Sequence, residues 1–135
     1  MKEKIIDTDI LSFFFKGDKK VVTNFEKYLE EYTHINISMI TYYEILSGLH
    51  FKKATKKLEE FEKFCKSCKI YNLSKDSTEI SAKVYASLRQ EGKAVDDIDL
   101  FIAGIAIKND FTLVTNNEKD FGKIKILKMV NWMKD

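Results

Sequence analysis

The chain is expected to fold as an α/β domain on a mainly parallel sheet. Three observations predict this. Short apolar runs alternate with longer stretches of helical periodicity, no proline interrupts those stretches, and no repeat, low-complexity tract or linker divides the 135 residues. A single domain over 1–135 is the expected organisation.

Lys4-Ile5-Ile6 reads as a buried strand leading into Asp7, and Asp9 to Phe15 as one or two helical turns broken at Gly17-Asp18. Val21, Val22, Phe25, Tyr28 and Leu29 recur at helical spacing, which predicts a helix over Lys19 to Glu31. His34 to Ile37 is the second strand. Ser38 or Thr41 then caps a helix carrying Ile40, Tyr43, Ile45, Leu46 and Leu49. Lys52 to Lys66 is a charged helix with Leu58, Phe61 and Phe64 on its buried side. Ile70 to Leu73 is the third strand, and Ser74 or Asp76 opens a helix with Ile80, Val84 and Leu88, ended by Gly92. Asp96 or Asp97 caps a markedly apolar helix to Lys108. Asn109-Asp110 turns into the strand Thr112 to Thr115, and Lys125-Ile126-Leu127 is a weak fifth strand.

Composition narrows the class. With 44% hydrophobic residues the chain is not disordered, and its longest apolar stretch, Leu100 to Ile107, is too short to cross a membrane. Asp7 and Asp9 fall where an export signal needs an apolar core, and two cysteines make no secreted disulfide framework, so the cytoplasm is expected and no membrane partner. A net charge of +2 argues for neither nucleic acid nor membrane by itself.

In open parallel sheets, ligands bind outside the carboxyl ends of the strands. Asp7 follows the first strand, and Asn116, Asn117 and Asp120 follow the fourth. Glu44 lies in the helix after the second strand, and Asp99 begins the most apolar helix. Each acid has a plain structural use: Asp7 or Asp9 as a helix cap, Thr41 to Glu44 as a capping box, Asp96, Asp97, Asp99 and Asp120 at positive helix ends. Together they fit that use poorly. Glu44 and Asp99 stand among residues expected to face the core, and Arg89 is the chain's one arginine. Carboxylates gathered at one sheet edge repel unless protons or cations compensate, and the usual cation for an all-oxygen site is Mg²⁺ or Mn²⁺. Zinc is not indicated, because nothing brings His34 and His50 together. Carboxylate-bound Mg²⁺ suggests phosphoryl chemistry, and no phosphate-cradling glycine loop points to a nucleoside triphosphate.

Four segments in order carry a family resemblance: Ile6-Asp7-Thr8, Ser38 to Gly48 around Glu44, Asp99 to Gly104, and Leu113 to Phe121. The chain resembles the PIN-domain ribonucleases of the VapC type, the toxins of VapBC toxin–antitoxin pairs, and Val130-Asn131-Trp132 resembles the family's final strand-to-tail segment. The resemblance implies a three-layer domain with a five-stranded sheet of order 3-2-1-4-5 flanked by helices. It implies an endoribonuclease hydrolysing RNA phosphodiester bonds with metal-activated water, and a site of Asp7, Glu44, Asp99 and Asp120. Asp7 and Asp99 would bind the metal, Mg²⁺ with Mn²⁺ as a substitute. Glu44 and Asp120 would bind a second metal or orient waters, while Thr8 and Thr115 hold carboxylates by hydroxyl bonds. Many family members carry Asp where this chain has Asn117, so Asn117 is a supporting candidate and Asp120 the fourth acid. A homodimer and a small antitoxin covering the acidic groove are the implied partners.

Two other functions are open to the same residues. Asp7-Thr8-Asp9 matches the DxD opening of haloacid-dehalogenase-type phosphatases, although Leu11 stands where that family has Thr or Val. A non-catalytic PIN-like module would bind RNA or protein without cutting. Cys65-Lys66-Ser67-Cys68 is read as two reduced thiols rather than a redox or zinc motif. Of Phe13-Phe14-Phe15, at least one is exposed or at an interface if the segment is helical, since successive helix residues point about 100° apart. Lysines 52, 53, 56 and 57 are read as solvated helix surface, and lysines 119, 123, 125 and 128 as the group placed to hold an RNA backbone.

Overall fold

A computed structural model describes residues 2–134, so the outermost residues of the expected 1–135 domain lie outside the described part. Five strands form one parallel sheet: β1 (Lys4–Ile6), β2 (Asn36–Ser38), β3 (Lys69–Tyr71), β4 (Thr112–Val114) and β5 (Met129–Val130). Their order is β3-β2-β1-β4-β5, and every adjacent pair is parallel. The helices are α1 (Thr8–Phe15), α2 (Lys19–Glu31), α3 (Met39–Phe51), α4 (Thr55–Cys65), α5 (Lys75–Gln90), α6 (Asp97–Lys108) and α7 (Glu118–Phe121).

Strand alternation sorts the core into two layers. Ile5 and Leu113 face a cluster with Val84, Leu88, Leu100 and Phe121. Ile6 and Val114 face the opposite cluster, with Leu11, Phe25, Phe61 and Trp132. Each layer gains from burying large apolar side chains, at ~1.5–3 kcal/mol apiece. The closest helix approach is α5 against α6. A Cβ on Gly104 would lie 2.5 Å from the Ser77 carbonyl oxygen, and Ser81 Oγ donates to the Leu100 carbonyl across the same seam at 2.7 Å. That contact fixes α6, and hence Asp99 in its first turn, against α5.

Several element boundaries differ from those the sequence predicts. The fifth strand is Met129–Val130, not Lys125 to Leu127. Ile124 and Leu127 enter the core from a turn, with Leu127 N–H donating to the Ile124 carbonyl, while Ile126 is 65% exposed. Burial three residues apart is turn periodicity, and it imitates a strand in a short apolar run. The charged helix begins at Thr55, because Lys53 adopts a left-handed φ of 54° that closes α3. β2 ends at Ser38, whose hydroxyl caps α3 by accepting from Thr41 N–H at 3.0 Å. Thr41 is therefore inside the helix, and the capping box proposed for Glu44 does not form.

Candidate active site

Asp7 ends β1 and caps α1. Its amide donates to the Val114 carbonyl at 2.9 Å, which extends the β1–β4 ladder by one bond. The carboxylate is fixed at both oxygens: Oδ1 accepts from Thr8 N–H at 2.9 Å and Oδ2 from the Thr115 hydroxyl at 2.8 Å. Asp7 is only 7% exposed. Burial pushes its pKa up to about 7; the charges of Asp9 and Asp99 add to this, and the Thr115 and Thr8 hydrogen bonds oppose it. Thr115 in turn accepts from Asn117 N–H at 3.0 Å, so one hydroxyl couples Asp7 to the β4–α7 loop.

Glu44 reaches the same sheet edge from α3, where the Thr8 hydroxyl donates to its Oε1 and Thr41 Oγ1 stands 3.0 Å from Thr8. Its side chain is exposed, which corrects the expectation that it sits among core-facing residues. Asp99 lies in the first turn of α6 and is half-buried. Burial raises its pKa to about 6, with further elevation from Asp96, Asp120, Glu44 and Asp9 in that order. Asp120 lies in α7, with Oδ2 accepting from Asn117 Nδ2 at 3.3 Å and Oδ1 within 3.5 Å of Lys123 Nζ. The expected acids thus share one electrostatic field at the carboxyl end of the sheet.

Two acids of that field were not expected in it. Asp9 accepts from Ile10 N–H at 2.7 Å and from Asn116 N–H at 3.1 Å, and burial is the main cause of its raised pKa. The Asp-x-Asp spacing was its signal, read only as a phosphatase opening. Asp96, which caps α6 without a side-chain bond, faces Asp99 electrostatically.

Among the described residues, no three His, Cys, Asp or Glu side chains converge closely enough to grip one ion. The donor chemistry nevertheless suits a hard divalent cation. The donors are oxygens, Asp7 and Asp99 enter no ion pair among the described residues, and both are pushed toward protonation by burial and like charge. A cation would relieve that repulsion without a proton.

A cavity of about 230 Å³ opens beside Thr8 and Glu44, between α1, α3 and α4, and Phe15, Lys16, Lys52 and Lys57 line it. These lysines enter no ion pair among the described residues. The other group is largely engaged: Lys123 pairs with Asp120, Lys125 with Glu91 and Lys128 with Asp110. Asp110 and Lys128 precede β4 and β5, which puts that pair at the far end of the sheet. Of the first basic group, Lys52 and Lys57 thus stand with Lys16 beside Glu44, whereas three of the four lysines of the second group are paired with acids. Phe15 is 42% exposed and Phe14 stacks on Phe25, so the phenylalanine run divides as helix geometry requires. Burial pushes the Cys65 and Cys68 thiols up to about 11 and about 12, which suppresses thiolate chemistry there.

The PIN domain family model matches residues 4–127. Ribonuclease VapC1 of Methanocaldococcus jannaschii is 30% identical over 121 residues, spanning 90% of this chain and 80% of that protein. Ribonuclease VapC2 of Rickettsia felis is 30% identical, spanning 96% of this chain and 98% of that protein. The crystal structure of VapBC2 from Rickettsia felis, bound to a DNA fragment from its promoter, superposes with a TM-score of 0.86 at 28% identity. The match covers 96% of this chain and 98% of that one.

Proposed function

This chain belongs to the PIN-domain family, and on that premise we propose that it is an endoribonuclease toxin of the VapC type, acting as a single domain. The observation that carries the reading is the buried Asp7 carboxylate. It is held by Thr115 and Thr8 beside Asp9 and Asp99, and it enters no ion pair among the described residues. The names of the relatives, both ribonucleases, support the RNA substrate.

PIN-domain nucleases generally use divalent metal ions, and Mg²⁺, with Mn²⁺ as a substitute, is the ion proposed here. Asp7 and Asp99 would hold it. When bound, it supplies positive charge to the phosphate and acidity to a water. Thr115 and Thr8 keep the Asp7 carboxylate in one orientation, so little reorganisation accompanies binding. Glu44, steered by the Thr8 hydroxyl, takes the proton of the attacking water. Asp120, held by Asn117, orients water on the opposite side of the site. The water oxygen bonds to phosphorus as the P–O3′ bond breaks, a solvent water protonates the 3′ oxygen, and the products carry 3′-hydroxyl and 5′-phosphate ends. Lys16, Lys52 and Lys57 offer the RNA backbone its cations along the neighbouring cavity.

A small antitoxin covering the acidic groove is the proposed partner, supported by relatives solved as VapBC complexes. A homodimer in the cytoplasm completes the reading; no helix among the described residues is long and apolar enough to cross a membrane. The test is metal-dependent RNA cleavage by wild type, Asp7→Asn and Asp99→Asn. Loss in both variants supports the assignment, and equal rates in all three proteins overturn it in favour of a binding module.

A further inference from the structure

We propose that Asn131 is a positioning residue of the active site, holding the β4–α7 loop that carries Asn117 and leads to Asp120. The inference rests on the ribonuclease reading. Asn131 is 4% exposed, and its amide is committed at both ends. Nδ2 donates to Asn116 Oδ1 at 2.9 Å and to Glu118 Oε2 at 3.1 Å, while Oδ1 accepts from Met133 N–H at 2.9 Å. The reverse amide orientation would set one oxygen against two acceptors and the NH₂ against a donor, so the network fixes its direction.

The anchor behind it is rigid. Val130 accepts from Thr115 N–H at 3.0 Å as β5 pairs with β4. Trp132, on the other side, is buried against Phe25 and Tyr28 with ring centroids 5.2 and 6.1 Å away. Asn131 is thus held on both sides while its side chain reaches the loop. The loop makes three site contacts: Asn116 N–H to Asp9, Asn117 N–H to the Thr115 hydroxyl that holds Asp7, and Asn117 Nδ2 to Asp120. Side chains of residues 116 and 118 join that loop to the tail: both bond the one buried amide, and Glu118 Oε2 also pairs with the exposed Lys134 Nζ at 2.6 Å. Releasing the buried amide leaves Glu118 a solvent-exposed ion pair and loosens the loop's contacts to three acids at once without removing any of them.

Asn131→Asp is the informative variant, because it keeps volume and the Met133 bond but turns both donors into acceptors facing Glu118 and Asn116. The expected result, on RNA at a temperature where the variant is fully folded, is kcat lowered tenfold or more with KM within twofold. Amide hydrogen exchange at Asn116 and Asn117 should accelerate at least tenfold, a readout independent of the metal-loaded enzyme. Adding Glu118→Gln gives the carboxylate a donor again and should recover most of kcat and protection. Unchanged kcat and unchanged exchange in Asn131→Asp would overturn the proposal, as would a double variant no better than the single. If wild type itself leaves RNA intact, the ribonuclease reading fails, whereas the exchange measurement still judges the latch.

Discussion

Replacing Asp7 by Asn should abolish cleavage and stabilise the metal-free protein, by an amount that depends on pH. Folded Asp7 titrates at about 7, against 3.8 when free of its surroundings, so the folded state holds the extra proton between those limits. Stability therefore falls as pH rises through that window, and the full cost is present above it. At ~1.4 kcal/mol for each tenfold difference in proton affinity, the cost reaches about 4 kcal/mol at pH 8, of which roughly 2.5 accumulates above pH 5. The amide forfeits the charge-assisted bond from Thr115, at about 2 kcal/mol. A net gain of about 2 kcal/mol at pH 8 corresponds to a Tm about 7 °C higher, from an unfolding entropy of ~2.1 cal/mol/K per residue. The assay is urea or thermal unfolding of both proteins with chelator at pH 5 and pH 8. Part of the gain comes through Asp9 and Asp99, whose carboxylates lose a charged neighbour. An Asn variant with the wild-type pH slope, or less stable at pH 8, would show that Asp7 is not held charged against its environment.

Gly104→Ala should destabilise although alanine favours helices. The new Cβ meets the immovable Ser77 carbonyl and displaces the Ser81–Leu100 hydrogen bond, so overpacking and a lost bond outweigh ~1 kcal/mol of propensity. A loss of about 2 kcal/mol in urea unfolding is expected, and a variant as stable as wild type would contradict the close α5–α6 seam. Changing Lys16, Lys52 and Lys57 together to Gln, in the Asp99→Asn background, should flatten the salt dependence of single-stranded RNA binding by about 2 in log–log slope. Changing Lys123, Lys125 and Lys128 should leave that slope within about 0.7, less than one lysine's worth. The opposite ranking would restore the second group as the RNA contact.

Much of the topology was legible because strand and helix obey different periods. Ile5 and Ile6 point to opposite faces and so appear as a continuous apolar run, while Val21, Phe25 and Tyr28 repeat at helical spacing. β5 was illegible for the same reason in reverse: Ile124 and Leu127 bury from a turn, whereas the pairing residues Met129 and Val130 are only half-buried at a sheet edge. The acids Asp7 and Asp99 were readable from type and position alone. That Thr8 and Thr115 hold carboxylates came from the family resemblance alone, and spacing did not reveal which acid each one serves. Thr8 serves Glu44 in another helix, Thr115 serves Asp7 across 108 residues, and Asn131 holds the loop from beyond the last strand. The exposure of Glu44 was likewise hidden, since Tyr43 beside it is 69% exposed despite its apolar ring. Which lysines are paired with acids was equally illegible, because Lys125 meets Glu91 and Lys128 meets Asp110 only through the fold.

In the proposed reaction, clustered carboxylates direct water, with a divalent ion, onto an RNA phosphate. The most direct test is the chemistry of the ends made by wild type from a defined RNA, with Mg²⁺ and with chelator. The expected result is cleavage only with metal, leaving 3′-hydroxyl and 5′-phosphate termini. Products bearing 2′,3′-cyclic phosphate, formed equally well in chelator, would contradict it.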